Sequence, residues 1–261
     1  MEQSSKPLKG KVAIITGGDS GIGRACAIEL SARGAEILIN YHTDEEGAKE
    51  TAAAVEKNRS RAVICKADVG SYTDVLQMFG DVKQLGTPWI LVNSAGVNES
   101  GIFADEMDVE TFDRTIRTNL YGIFYTCKEF IKARKANGNG GKIVNISSIH
   151  EEVCRAGGAD YCASKGAVRN FTRSLALELG PFGININNVA PGMILTPMNQ
   201  KALDDPEYLK EAEKHIPYQR AGKPEEVAKL VAFLVSDEAS YAAGQTFTLD
   251  GGLSLNLGQG A

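Results

Sequence analysis

Short apolar runs alternate along the chain with longer segments in which apolar residues recur every three to four positions. Residues 11–16 (Lys-Val-Ala-Ile-Ile-Thr) are almost wholly apolar and β-branched, as expected of a strand covered on both faces of a parallel sheet. Further strands are predicted at 36–41, 62–66, 89–93, 142–146, 185–190 and 246–249. Helical spacing fills the intervals at 24–33, 44–57, 72–85, 106–136, from Tyr161 to about Gly180, and at 225–236. Regular strand–helix alternation predicts an α/β fold, a doubly wound parallel sheet of Rossmann type with helices on both faces and ligands at the carboxyl ends of the strands. No linker is long enough to divide the chain, so residues 1–261 are expected to form a single domain.

Between the first strand and the first helix lies Gly17-Gly18-Asp19-Ser20-Gly21-Ile22-Gly23. Glycines there allow a tight turn and let backbone N–H groups at the helix start approach a pyrophosphate. The spacing is Gly-x-x-x-Gly-x-Gly rather than the general dinucleotide fingerprint. A plain tight turn produces a similar pattern, but its position after a buried strand favours phosphate binding. The second strand ends in Asn40-Tyr41-His42, where an NAD-specific site usually carries a carboxylate for the ribose 2′-OH. Asn40 does not repel a 2′-phosphate, and no Arg is adjacent to bind one, so use of both NAD and NADP is expected, with a lean towards NADP. Asp68, with Val69 beside it, and the Asn93-Ser94-Ala95-Gly96 turn lie at two further strand ends, where they are turn formers or cofactor contacts.

Composition narrows the function. A net charge of -5 offers no basic field for nucleic acid or an anionic membrane surface. Five cysteines are scattered without a Cys-x-x-Cys or a Cys/His cluster at zinc spacing, so no metal site is expected and reduced, cytoplasmic thiols are. No apolar stretch follows the start and no run approaches membrane-spanning length.

The chemistry concentrates in residues 145–165, which run from a strand end through a Gly-containing loop into a helix. Tyr161 and Lys165 are four apart and stack on one face of that helix. Such a pair is often an ordinary surface feature. Its chemical reading is a phenol made usable as a base by a neighbouring cation. Bringing a Tyr pKa from about 10 to about 7 takes roughly 4 kcal/mol. One ammonium at about 4.5 Å with an effective dielectric near 20 supplies roughly that. Asn119 lies beside the apolar stripe of the 106–136 helix (Phe112, Ile116, Leu120, Ile123, Phe124, Cys127, Phe130, Ile131), where it is either a satisfied core amide or aimed at the site.

Taken together, Thr16-Gly17-x-x-x-Gly21-Ile22-Gly23, Asn93-Ser94-Ala95-Gly96, Ser148, Tyr161-x-x-x-Lys165 and Pro191-Gly192-x-Ile194-x-Thr196 resemble the short-chain dehydrogenase/reductase family over essentially the whole chain. The resemblance implies an NAD(P)-dependent oxidoreductase in which Tyr161 is the general acid/base, Ser148 binds the substrate oxygen, Lys165 lowers the Tyr pKa and holds the nicotinamide ribose, and Asn119 supports a water-linked proton relay. It implies that Asn93 stabilises the sheet beside the cofactor, Asp68 contacts adenine, Thr196 meets the carboxamide and Asn40 takes the ribose or its phosphate. Ser147 is a nearby second hydroxyl read as a strand-end residue.

Within the family, Asn40-Tyr41, Ser147-Ser148-Ile149-His150-Glu151, Ile216-Pro217 and Asp250-Gly251-Gly252 are similar to bacterial glucose 1-dehydrogenases, which implies that His150 and Glu151 border a sugar pocket. The likeness lapses over residues 153–158. Residues 198–217, rich in charge and interrupted by Pro206, are read as a substrate lid or a solvated surface helix. Leu253, Leu255 and Leu257 alternate in an apolar tail which, by the resemblance, packs across subunits of a homotetramer. The expected activity is hydride transfer between nicotinamide and the alcohol or carbonyl of a small sugar or polyol. The alternatives are a 3-oxoacyl-thioester (acyl-carrier-protein) reductase and a dinucleotide-binding regulatory protein without turnover.

Overall fold

The computed structural model describes residues 6–99 and 101–256. The first half comprises β1 (Val12–Thr16), α1 (Gly21–Ala32), β2 (Glu36–Tyr41), α2 (Glu45–Lys57), β3 (Ala62–Lys66), α3 (Tyr72–Asp81) and β4 (Pro88–Asn93). There follow α4 (Val109–Ile116), α5 (Gly122–Ala136), β5 (Gly141–Ile146), α6 (Ala159–Leu179) and β6 (Ile184–Pro191). The chain closes with α7 (Gln200–Asp204), α8 (Pro206–Glu213), α9 (Pro224–Leu234) and β7 (Thr246–Leu249). The strands form one parallel sheet in the order β3-β2-β1-β4-β5-β6-β7. Strand order reverses between β1 and β4, which opens a crevice at their carboxyl ends.

Successive strand residues enter opposite layers of the core, as the two-residue period of a strand requires. Ile15, Ile37 and Ile39 pack with α1, α2 and α9, while Ile14 and Leu38 pack with α3, α5 and α6. Both faces are therefore apolar, which is why the strands read as continuous runs.

The segment predicted as one helix over 106–136 is interrupted. A π-helical turn, Arg117–Tyr121, joins α4 to α5 and carries Asn119. The fully buried Asn119 amide accepts from Val97 N (2.8 Å) and donates to Val97 O (2.9 Å) and Ser164 Oγ (3.1 Å). Phe112 and Phe124, expected on the buried stripe, are exposed. Ile123, Cys127 and Phe130 do face the core. Among the described residues no helix is long and apolar enough to cross a membrane.

Candidate active site

A cleft of about 780 Å³ runs across the carboxyl ends of the strands from the glycine turn to Tyr161. At one end the turn is clamped from both sides. Thr16 Oγ1 accepts from Ser94 N (3.0 Å) and Ala95 N (3.1 Å), tying the β4 turn over β1. Asn40 accepts from Gly17 N through its side chain (3.3 Å) and from Gly18 N through its carbonyl (2.8 Å). Gly17 sits at φ +61°, and a Cβ on it would come within 2.9 Å of Ala95 Cα. On Gly23 a Cβ would lie 2.0 Å from Gly17 O, so the helix start and the turn touch only because that position has no side chain. Ser20 precedes α1 without capping it through its hydroxyl, and the first turn of α1 has no acidic side chain. These features suit a pyrophosphate, whose oxygens need backbone N–H groups at a helix start.

At the other end, the β5–α6 connection and the opening turns of α6 bring three side chains together. Ser148 follows β5, its hydroxyl accepts from His150 N (3.2 Å), and it lies beside the Tyr161 phenol, where it favours the ionised form. Lys165, one turn after Tyr161, places its ammonium 5.5 Å from the Tyr161 ring centroid and donates to Ile146 O (2.9 Å). All three are buried. The electrostatics differ from the expectation drawn from spacing. Burial raises the Tyr161 pKa, opposed by the Ser148 hydrogen bond and by the charge of Arg155. Lys165 is itself pulled down to about 8 by burial, partly offset by the buried carboxylate of Glu151. Lys165 is not among the groups that shift the phenol, and burial outweighs those that lower it. Burial also depresses His150, which leaves a neutral imidazole at pH 7 in edge contact with the Tyr161 ring, 6.0 Å between centroids.

Most residues singled out from the sequence line this cleft. Gly17, Asp19, Ser20, Gly21 and Ile22 form its glycine end, with Asn40, Asp68, Val69, Ala95 and Gly96 alongside. Ser148, His150, Tyr161 and Lys165, with Pro191 at the end of β6 and Gly192, Ile194 and Thr196 from the loop after it, form the rest.

Five others stand back from the cleft. Gly23 acts through the close approach described above. Asn119 is committed to Val97 and Ser164, and its amide makes no hydrogen bond to Lys165. Tyr41 packs its ring into the core, opposite to the expected cofactor contact, because strand alternation turns it away from Asn40. Asn93 belongs to a buried polar ladder, donating to Asn145 Oδ1 (2.8 Å) and accepting from Thr126 Oγ1 (2.7 Å), so it braces the sheet without touching the cleft. Glu151 points into the protein, accepting from Ser147 Oγ (2.5 Å) beside Arg169 (3.6 Å), and does not border a sugar pocket.

Asn40 lines the cleft, yet its amide is turned inward to donate to Ala67 O (2.9 Å), which corrects the expectation that it takes the ribose or its phosphate. Sequence reading missed Asn98, Arg155, Met193 and Tyr208, which also line the cleft. Arg155 had a usable signal, its place between Ser148 and Tyr161. Asn98 had none. Among the described residues no cluster of three or more His, Cys, Asp or Glu side chains is placed to hold a metal ion.

This fold and cleft place the chain in a known class: it belongs to the short-chain dehydrogenase/reductase family of oxidoreductases, enzymes that work with a nicotinamide dinucleotide. Residues 17–254 match the family model described as Enoyl-(Acyl carrier protein) reductase. The chain is 39% identical over 252 residues to 3beta-hydroxysteroid dehydrogenase 1 of Eggerthella lenta, covering 96% of each chain. It is 37% identical over 251 residues to glucose 1-dehydrogenase 2 of Bacillus subtilis, covering 96% of this chain and 97% of that one. A solved short-chain dehydrogenase/reductase from Serratia marcescens superposes with a TM-score of 0.88 at 34% identity, covering 95% of this chain and 99% of that one.

Proposed function

We propose that this enzyme transfers a hydride between nicotinamide and a secondary or hemiacetal alcohol of a sugar or polyol, or the corresponding carbonyl, in the manner of a glucose 1-dehydrogenase. The observation that carries the reading is the convergence of Ser148, Tyr161 and Lys165 at the end of a cleft that begins at the glycine turn. The turn N–H groups hold the pyrophosphate, Asp68 and Val69 flank the adenine, and Thr196 and Ile194 border the nicotinamide. When bound, the dinucleotide supplies the hydride acceptor or donor.

Tyr161 takes the alcohol proton in oxidation and returns it in reduction. Ser148 holds the substrate oxygen against the phenol, a role its place beside Tyr161 in the cleft wall supports. Lys165 holds the nicotinamide ribose and passes the proton onward, a task suited to an ammonium whose pKa of about 8 lies near the operating range. Asn119 positions the Val97 loop and, through Ser164, the start of the Lys165 turn, keeping a water-linked proton path open.

With Asn40 turned inward and no carboxylate on β2 facing the ribose, both NAD and NADP are used, with a preference below about a hundredfold, some 2.7 kcal/mol. Residues 198–217 act as a lid, since Met198, Gln200, Lys201 and Tyr208 reach the cleft. Protection of this segment from proteolysis by cofactor tests that role. The enzyme assembles as a homotetramer, using exposed apolar residues such as Tyr121, Phe124 and Leu255. Leu257 lies outside the described residues. Light scattering that finds only monomer at micromolar concentration contradicts the tetramer. The five free cysteines favour a cytoplasmic setting.

A second reading, reduction of a 3-oxoacyl thioester, shares with the description of the matching family model an acyl-carrier-protein thioester, although that description names an enoyl group. The deciding experiment is a panel of sugars, polyols and 3-oxoacyl thioesters assayed with both cofactors for formation or loss of reduced nicotinamide. Turnover of sugars or polyols supports the first reading, and turnover confined to thioesters replaces it with the second.

A further inference from the structure

Charge is distributed unevenly along the cleft. Its lining carboxylates, Asp19 and Asp68, both belong to loops at the glycine-turn end. Towards Tyr161 the cleft is lined instead by cations, Lys165 one turn beyond the phenol and Arg155 in the loop before it, with Lys201 from the segment after β6. Arg114, in a salt bridge with Glu99, also reaches the cleft.

Arg155 is held in place. Its guanidinium donates to Asn98 Oδ1 (3.0 Å), and its loop is fastened where Gly101 N donates to Gly157 O (2.6 Å). Its stem lies against the start of α6, where a Cβ on Gly158 would come within 3.0 Å of Arg155 Nε and 3.1 Å of Cγ. Gly158 thus leaves room for the side chain to lie along the helix start, three residues before Tyr161. The charge is felt at the site, since it acts on both Tyr161 and His150. A guanidinium on the substrate side of an acid/base pair is suited to a planar carboxylate, which it meets through two parallel N–H donors. The same loop, residues 153–158, is where likeness to the glucose enzymes lapses.

We infer that Arg155 binds a carboxylate on the substrate, so that among sugar- and polyol-derived alcohols the preferred substrates are the hydroxy acids, sugar acids included, or their oxo counterparts. The inference rests on the reading of Ser148, Tyr161 and Lys165 as the hydride-transfer site. In the forward direction a hydroxy carboxylate and oxidised nicotinamide give an oxo carboxylate, reduced nicotinamide and a proton. The carbinol hydrogen leaves as hydride, the hydroxyl proton goes to Tyr161, and the carboxylate stays ionised against Arg155.

Matched pairs differing only in that group test this: gluconate against sorbitol, glycerate against glycerol, 3-hydroxybutyrate against 1,3-butanediol. The wild type is expected to favour the carboxylate member of at least one pair by about tenfold or more in kcat/KM, an advantage that shrinks as salt rises. R155Q brings that ratio towards one, R155K restores part of it, and G158A lowers it by displacing the guanidinium without removing its charge. Equilibrium binding of the same pairs to Y161F, with and without R155Q, gives a readout free of turnover and is expected to follow the same order. A wild type that uses the neutral member of every pair equally well or better overturns the inference, as does a ratio that R155Q leaves unchanged. Absence of turnover with every alcohol, neutral or charged, overturns instead the hydride-transfer reading beneath it and the inference with it.

Discussion

Gly23→Ala sets two effects of opposite sign against each other at one position. Gly23 lies in the first turn of α1, and helix propensity alone favours Ala by about 0.8–1.0 kcal/mol. The added methyl, however, falls 2.0 Å from Gly17 O, 2.7 Å from Gly17 C and 3.1 Å from Gly18 Cα. Ordinary nonbonded contact needs more than about 3 Å, so the overlap with the carbonyl oxygen is about 1 Å or greater. The turn has little room to retreat, because Asn40 holds Gly17 N and Gly18 N while Ala95 abuts Gly17. Overpacking of this kind costs about 1–3 kcal/mol or more and outweighs the propensity gain. The net expectation is a loss of roughly 1–2 kcal/mol, seen as a fall in Tm of about 2–6 °C for a chain of this size. Because the displaced atoms are those proposed to meet the pyrophosphate, affinity for reduced nicotinamide dinucleotide should fall at least about tenfold in a fluorescence titration. A variant that melts at or above the wild-type temperature and binds dinucleotide unchanged would refute the close-packed turn.

Glu151→Gln removes the carboxylate that holds the Lys165 pKa up, so the limb of the kcat/KM pH profile belonging to Lys165 should move to lower pH; an unmoved or raised limb contradicts the coupling. Lys165→Met should abolish efficient turnover yet stabilise the fold. The folded pKa of about 8 lies below the ordinary 10.5, so the native state binds the proton more weakly than the unfolded chain and carries a constant penalty below pH 8 that vanishes as pH rises to 10.5. The gain at pH 7, about 1–3 kcal/mol by urea denaturation, should therefore close between pH 8 and 10.5, and a variant destabilised at pH 7 would contradict the desolvation of Lys165. Asn145→Ala strips partners from Asn93 and Thr172 within the buried ladder and should cost about 2–4 kcal/mol in the same assay; a loss below about 0.5 kcal/mol would show the ladder to be unimportant.

Strand and helix periodicity was enough to read the alternating fold, because each strand is buried on both faces and each long helix has one apolar side. The convergence of Ser148, Tyr161 and Lys165 was legible for a similar reason: residues four apart on a helix share a face, and a strand end placed before a short loop lies nearby. Direction was harder. Asn40 and Glu151 were located at the right strand end and connection, but nothing in their spacing says that one amide turns to Ala67 or that one carboxylate turns to Ser147 and Arg169. Tyr41 follows Asn40 in an extended strand, so only one of the two can face the cleft, a conflict that alternation alone could have exposed. The π-helical turn at Asn119 has no periodic signature, since it depends on Val97 and Ser164, which are remote in sequence. Spacing fixes which side chains are neighbours but not how deeply each is buried, so the upward push of burial on the phenol was not legible.

The central claim, that the Tyr161 hydroxyl carries the proton for hydride transfer, is tested most directly by Tyr161→Phe. With an alcohol substrate the wild type uses, and with dinucleotide affinity measured on the same preparation, the account predicts unchanged dinucleotide binding and a kcat lowered by about a hundredfold or more. Undiminished turnover in that variant would contradict it.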